Sequence, residues 1–207
     1  MAYAGLSIGL FAGSFNPAHK GHMHVAKTAL TRLGLDRIWW IVSPQNPLKP
    51  AQPAYEARVK SVEALGLPPR MEISHIERDF GTDYTVDMLA KLRRRYPKTR
   101  FVFLIGSDNL AQLPRWKHWQ SLMYLVPIAV IARPATSSSP ATSPKLAKSG
   151  DTISLKPRLG PMARRFQHAR IAEPMASALK HHRAPAWTYL TAPLNPLSST
   201  QIRMQKR

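Results

Sequence analysis

Five short runs rich in apolar residues recur along the chain, at positions 6–12, 37–43, 71–77, 101–105 and 127–132. Turn-forming residues bound each run, and four of the five are nearly continuous in apolar content, as expected of strands covered on both faces. Between them, residues 21–34, 55–65 and 84–96 place apolar side chains at helical spacing. Strands that alternate with helices predict an α/β fold with a mainly parallel sheet and right-handed crossovers. A further helical pattern, rich in Ala and Arg, follows over 161–179, and another short strand is expected at 187–191. Residues 134–152 contain Pro, Ala, Ser, Thr, Lys and Gly with hardly any large apolar residue, so a flexible low-complexity loop is expected there.

The 207 residues suit one domain spanning 1–207. Formal net charge is +19, and it is unevenly spread: residues 1–108 carry 15 basic and 9 acidic side chains, residues 109–207 carry 15 basic and only 2 acidic. The second half is therefore the anion-seeking one. A hydrophobic content of 44% with five Trp, six Tyr and six Phe is too high for a wholly disordered basic protein. Cysteine is absent, which removes disulfides, thiolate nucleophiles and Cys-held zinc, and is compatible with a cytoplasmic location. The longest apolar run, 122–132, includes Pro127 and is too short to span a bilayer. The N-terminal stretch lacks a basic leader region, and Gly5, Ser7 and Gly9 interrupt its apolar run, so no export signal is expected.

The densest chemistry lies in Gly13-Ser14-Phe15-Asn16-Pro17-Ala18-His19-Lys20-Gly21-His22, between the first expected strand and the first expected helix. Gly13 permits a sharp exit from the strand, and Pro17 fixes the chain before the helix. His19 and His22 are three apart and share one face of a first helical turn. Two imidazoles added to the free N–H groups and positive dipole end of a helix make a site for phosphate oxygens. His24 points elsewhere and no carboxylate is near in sequence, so no metal site built from protein side chains is expected.

This segment resembles the G-x-F-x-P-x-H-x-G-H signature of nucleotidyltransferases, and Leu197-Ser198-Ser199-Thr200-Gln201-Ile202-Arg203 resembles their second signature, S-S-T-x-I-R. Pro44-Gln45-Asn46-Pro47-Leu48-Lys49, Tyr84-Thr85-Val86-Asp87-Met88-Leu89, Leu104-Ile105-Gly106-Ser107-Asp108-Asn109-Leu110 and Trp116-Lys117 narrow the resemblance to the nicotinate-nucleotide adenylyltransferases. Position 16 departs from the pattern, with Asn where Asp is commoner.

The resemblance implies a doubly wound, Rossmann-like sheet of about five to six strands with helices on both faces, whose ligands bind outside the carboxyl ends of the strands. It implies adenylyl transfer from ATP to nicotinate mononucleotide, with release of pyrophosphate. Its implied catalytic residues are His19, His22 and Arg203. ATP would be met by Gly13, Ser14, Phe15, His19, Gly21, His22, Gly106, Asp108, Ser198, Ser199, Thr200 and Arg203. The mononucleotide would be met by Asn16, Lys49, Tyr84, Thr85, Asp108 and Trp116. Mg²⁺ is expected to travel with the ATP polyphosphate. Backbone N–H groups of Tyr84 and Thr85 at a helix start would suit a nicotinate carboxylate better than an amide, and Trp116 would stack on the ring, whereas Trp119 reads as core.

Two alternatives stay open on sequence. One is the same chemistry on nicotinamide mononucleotide or phosphopantetheine. The other is a non-catalytic nucleic-acid-binding module, for which Lys91 to Arg100, with Arg93, Arg94 and Arg95, is the candidate patch; the same run also reads as cations complementing a helix C-terminus. No membrane partner is expected.

Overall fold

The computed structural model describes residues 3–45, 48, 52–110, 112–133, 160–192, 199 and 202–203. Its centre is a parallel sheet of β1 (Ser7–Gly13), β2 (Arg37–Val42), β3 (Met71–Ser74), β4 (Arg100–Gly106), β5 (Ile128–Ile131), β6 (Arg170–Ile171) and β7 (Trp187–Leu190). The strand order is β3-β2-β1-β4-β5-β7-β6, and every neighbouring pair runs parallel. The chain winds outward from β1 through β2 to β3, then crosses to β4 on the other side of β1. The winding therefore reverses between β1 and β4, and a crevice opens beyond Gly13 and Gly106.

Side-chain alternation along the strands divides the core into two layers. On β2, Ile38, Trp40 and Val42 face one side while Trp39 and Ile41 face the other. The first side is covered by α1 (Lys20–Arg32), through Val25, Ala26 and Ala29, and by α2 (Tyr55–Glu63), through Val59 and Val62. The second is covered by α4 (Thr85–Arg95), through Met88, Leu89 and Leu92. Strands sandwiched in this way have no solvent face, which is why their sequences read as continuous apolar runs.

The expected α/β class and double winding are present, with three differences. Among the described residues seven strands form where five to six were expected, because β6 has only two residues and is hidden inside a helical pattern. The run at 71–77 stops as a strand at Ser74; Ile76–Asp79 forms a one-turn helix, α3, whose Ile76 N–H donates to Ser74 Oγ at 3.4 Å. The pattern at 161–179 is broken as well. α6 (Pro161–Arg165) follows a single turn of helix, α5 (Trp119–Leu122), in chain order and ends before Phe166, whose carbonyl accepts from Trp187 Nε1 at 2.8 Å. Pro174 then opens a separate 3₁₀ segment, Glu173–His181, since proline removes a helical donor. The loop expected at 134–152 lies outside the described residues.

Candidate active site

The site begins where β1 ends. Phe15 takes a left-handed φ of 45°, a conformation costing about 1–3 kcal/mol for a residue with a side chain. Its buried ring offsets that cost by packing edge-on against Phe11 at 5.4 Å and His22 at 5.2 Å, and tilted on Trp40 at 5.2 Å. What Phe15 offers a ligand is therefore backbone.

His19 is the N-cap of α1, a position usually held by a short oxygen-bearing side chain. Its Nδ1 accepts from Gly21 N–H at 3.1 Å, and His22 Nδ1 accepts from His19 N–H at 3.2 Å. This reciprocal capping box satisfies two helix-start donors and leaves each ring one place for a proton. The hydrogen-bond pattern thus assigns both neutral imidazoles as Nε2–H tautomers. The rings lie 3.9 Å apart between centroids, 4% and 8% exposed. His19 Nε2 is buried with no partner among the described residues. Burial, reinforced by the charge of Arg133, lowers His19 to about 4, so near pH 7 it is a neutral donor.

The far end of the chain meets this loop. Ser199 Oγ donates to Pro17 O at 2.9 Å, and Arg203 Nη1 donates to Asn16 O. The two signatures, about 180 positions apart, are thereby joined backbone to side chain, with Arg203 on the exposed side.

β4 supplies the opposite wall. A side chain at Gly106 would run into the Asp108 carboxylate and, at 2.7 Å, into Arg133 Cδ. Asp108 Oδ2 pairs with Arg133 Nη1 at 3.3 Å, both side chains mostly buried, while Asp108 Oδ1 has no partner among the described residues. Arg133 is held in turn by Ser107, whose Oγ accepts from Arg133 N–H at 2.9 Å. Sequence reasoning passed over Arg133. The signal was available, because Arg133 follows the end of β5 as Asp108 follows the end of β4, and both positions overlook the crevice.

On the β2 and β3 side, Tyr84 caps α4 and its N–H donates to Thr82 Oγ1 at 3.2 Å. Of the two amides expected to be free, that of Tyr84 is therefore taken. Lys117 Nζ lies over the Tyr84 ring at 4.4 Å and pairs with Asp87 at 2.9 Å. Trp116 is half-buried, edge-on to Phe103 at 6.3 Å, and Trp119 packs on Phe166, also at 6.3 Å. Glu77 is buried below this wall. Burial pushes its carboxyl up to about 7, against a hydrogen bond from Ser43 and helped by Asp83. Lys49, Ser198 and Thr200 lie outside the described residues.

Gly13, Ser14, Asn16, Gly21, His19, His22, Gly106, Asp108, Tyr84 and Thr85 all follow strands or open helices at the carboxyl edge of the sheet. The basic run at 91–100 is elsewhere: it joins the end of α4 to the start of β4, at the amino edge. Among the described residues no three His, Cys, Asp or Glu side chains converge as a metal site, and no helix is long and apolar enough to cross a membrane.

The chain matches the cytidylyltransferase-like family over residues 10–205. It is 43% identical over 201 residues to a Cereibacter sphaeroides protein named "Probable nicotinate-nucleotide adenylyltransferase", covering 97% of each chain. A Caulobacter protein of the same name is 45% identical over 201 residues, covering 96% of this chain and 97% of its own. Among solved structures, Plasmodium falciparum nicotinic acid mononucleotide adenylyltransferase complexed with NaAD matches with a TM-score of 0.66 at 15% identity, covering 96% of this chain and 83% of the other. That last likeness speaks for the fold.

Proposed function

Since the chain belongs to the nicotinate-nucleotide adenylyltransferases of the cytidylyltransferase-like family, we propose that its crevice joins ATP to nicotinate mononucleotide, giving nicotinate adenine dinucleotide and pyrophosphate for NAD biosynthesis. A phosphate oxygen of the mononucleotide attacks the α-phosphorus of ATP. A new P–O bond forms, the bond from the α-phosphorus to the α–β bridging oxygen breaks, and pyrophosphate leaves with that electron pair. No protein nucleophile is needed; alignment of two anions and neutralisation of developing charge carry the rate.

The observation that supports this reading is the junction of the two signatures, where Arg203 and Ser199 hold the carbonyls of Asn16 and Pro17 beside a His19 Nε2 that has no partner among the described residues. In our assignment, His19 and His22 donate Nε2–H to ATP phosphate oxygens. Arg203 and Arg133 add permanent positive charge. Gly13, Ser14, Phe15 and Gly21 contribute backbone, and Ser198, Ser199 and Thr200 contribute the start of the C-terminal helix. Gly106 allows close approach, and Asp108 Oδ1 accepts from ribose hydroxyls. The acceptor lies toward Asn16, Lys49, Thr85 and Trp116, with the Thr85 N–H directed to the pyridine carboxylate and Tyr84 closing the edge.

The donor set fits a magnesium ion carried by the nucleotide rather than caged by protein: the nearby carboxylate, Asp108, is already paired, and position 16 is a neutral amide. When bound, the ion offsets polyphosphate charge. In this reading the enzyme works in the cytoplasm, where its ATP is supplied, and a chain without cysteine is compatible with that location. The test is pyrophosphate release from ATP and magnesium with three acceptors. Turnover with nicotinate mononucleotide far above that with nicotinamide mononucleotide or phosphopantetheine is expected; equal turnover with either would overturn the assignment.

A further inference from the structure

Arg58 is 2% exposed, yet all the hydrogen bonds its guanidinium makes among the described residues go to backbone carbonyls. Nε donates to Pro53 O at 3.0 Å, Nη1 to Ser14 O at 3.0 Å and Ser43 O at 2.7 Å, and Nη2 to Pro44 O at 2.6 Å. A buried cation is a costly way to seat a helix on a sheet, since an apolar side chain of similar volume packs as well without desolvation. What a planar fork of donors does, and an apolar group cannot, is fix several carbonyls in one geometry. Here those carbonyls belong to two loops at the carboxyl edge of the sheet, one leaving β1 and the other leaving β2.

Ser61 stands one helical turn further along α2, on the same face. Its Oγ accepts from Ala18 N–H at 3.0 Å and has the carbonyls of Arg58 at 2.7 Å and Phe15 at 3.2 Å within donating distance. Together the two side chains tie down Ser14, Phe15 and Ala18, the stretch that contains the left-handed Phe15 and leads into the His19 cap.

We propose that Arg58 and Ser61 are positioning residues that set the His19–His22 pair against the β2 loop without touching either substrate. The kinetic part of this proposal rests on the adenylyl-transfer reading; the geometric part does not. Ser61 holds only the loop before His19, whereas Arg58 bridges that loop to Ser43 and Pro44. Losing Ser61 therefore acts on the imidazoles alone, and losing Arg58 acts on both loops.

The test compares Ser61→Ala, Ser61→Thr and Arg58→Lys, with folding followed by circular dichroism. Ser61→Ala is expected to lower kcat by about tenfold, the scale of one hydrogen bond, with KM for the mononucleotide unchanged. Ser61→Thr keeps the hydroxyl and retains the parent rate. Arg58→Lys keeps the charge but not the fork; kcat/KM falls by about 100-fold, the scale of a 1 Å misplacement, and KM rises for both substrates. In the free protein, NMR titration of His19 in Ser61→Ala should move up from about 4 as the loop loosens. Parent-like kcat in Ser61→Ala with an unmoved His19 titration would overturn the proposal, as would losses that merely track the unfolded fraction. A parent protein inert toward nicotinate mononucleotide would instead sink the functional reading, while the His19 titration would still report on the clamp.

Discussion

The two edges of the sheet handle positive charge in opposite ways. At the amino edge, Arg93, Arg94 and Arg95 crowd the last turn of α4 and stand exposed, with Arg95 lying over the Tyr96 ring at 5.9 Å. At the carboxyl edge, the nitrogen donors are held by fixed partners, whether or not they carry charge. His19 and His22 cap each other's backbone, Arg133 is gripped by Asp108 and Ser107, and Arg58 is spent on carbonyls. In the proposed reading, the anion site is distinguished by donors whose direction is fixed before the ligand arrives, not by charge density. The exposed run complements the negative end of its own helix.

Removing a directed donor should therefore cost far more than removing an exposed charge. His22→Ala is expected to lower kcat by about 10²- to 10³-fold, the scale of one transition-state donor, measured as steady-state pyrophosphate release; an unchanged rate would separate His22 from the chemistry. Arg133→Gln should lower kcat/KM by about 10- to 100-fold, the worth of a hydrogen bond to a charged group. It should also raise the His19 titration from about 4, because the Arg133 charge helps hold it down.

A third expectation concerns stability at the same edge. Glu77 keeps its proton in the folded protein up to about pH 7, whereas the unfolded chain releases it near 4.5. Between those values the native state binds more protons, so the contribution of Glu77 to stability is full below 4.5 and is lost as pH rises through 7. Glu77→Gln cannot ionise, so its melting temperature should gain on the parent between pH 5 and pH 8; a constant gap would contradict a buried, ionising carboxyl. His19 has the opposite sign, with stability lost as pH falls from 6.5 toward 4, and it cancels because both proteins carry it. The smallest effect is expected for combined Arg93→Gln, Arg94→Gln and Arg95→Gln, with kcat/KM within about twofold of the parent, as for surface changes remote from a site.

Much of this was legible in the chain because buried parallel strands write themselves as apolar runs and because the site sits where such runs end. The His19 to His22 spacing and the second signature could both be read directly, and the resemblance implied that they meet one ligand, whereas their junction through the carbonyls of Asn16 and Pro17 is visible only in the structure. Other features were hidden for physical reasons. Two-residue β6 is shorter than any periodicity, and Pro174 and the Trp187 bond to Phe166 O break a segment whose composition is helical throughout. Arg58 sits between Ala57 and Val59 on an ordinary amphipathic helix, and nothing in its neighbours reveals that its partners are carbonyls from two distant loops. The Tyr84 amide looked free because a side-chain oxygen two residues back leaves no trace in helical spacing.

The central claim is that two neutral imidazoles, locked as Nε2–H donors, face one triphosphate. Nitrogen-15 NMR of the histidine rings tests it most directly, in the free protein at pH 7 and after saturation with a non-hydrolysable ATP analogue and magnesium. The account predicts unprotonated Nδ1 in both His19 and His22 before addition, and displacement of both Nε2 resonances on binding. An Nδ1–H tautomer in either ring, or Nε2 signals indifferent to the nucleotide, would contradict it.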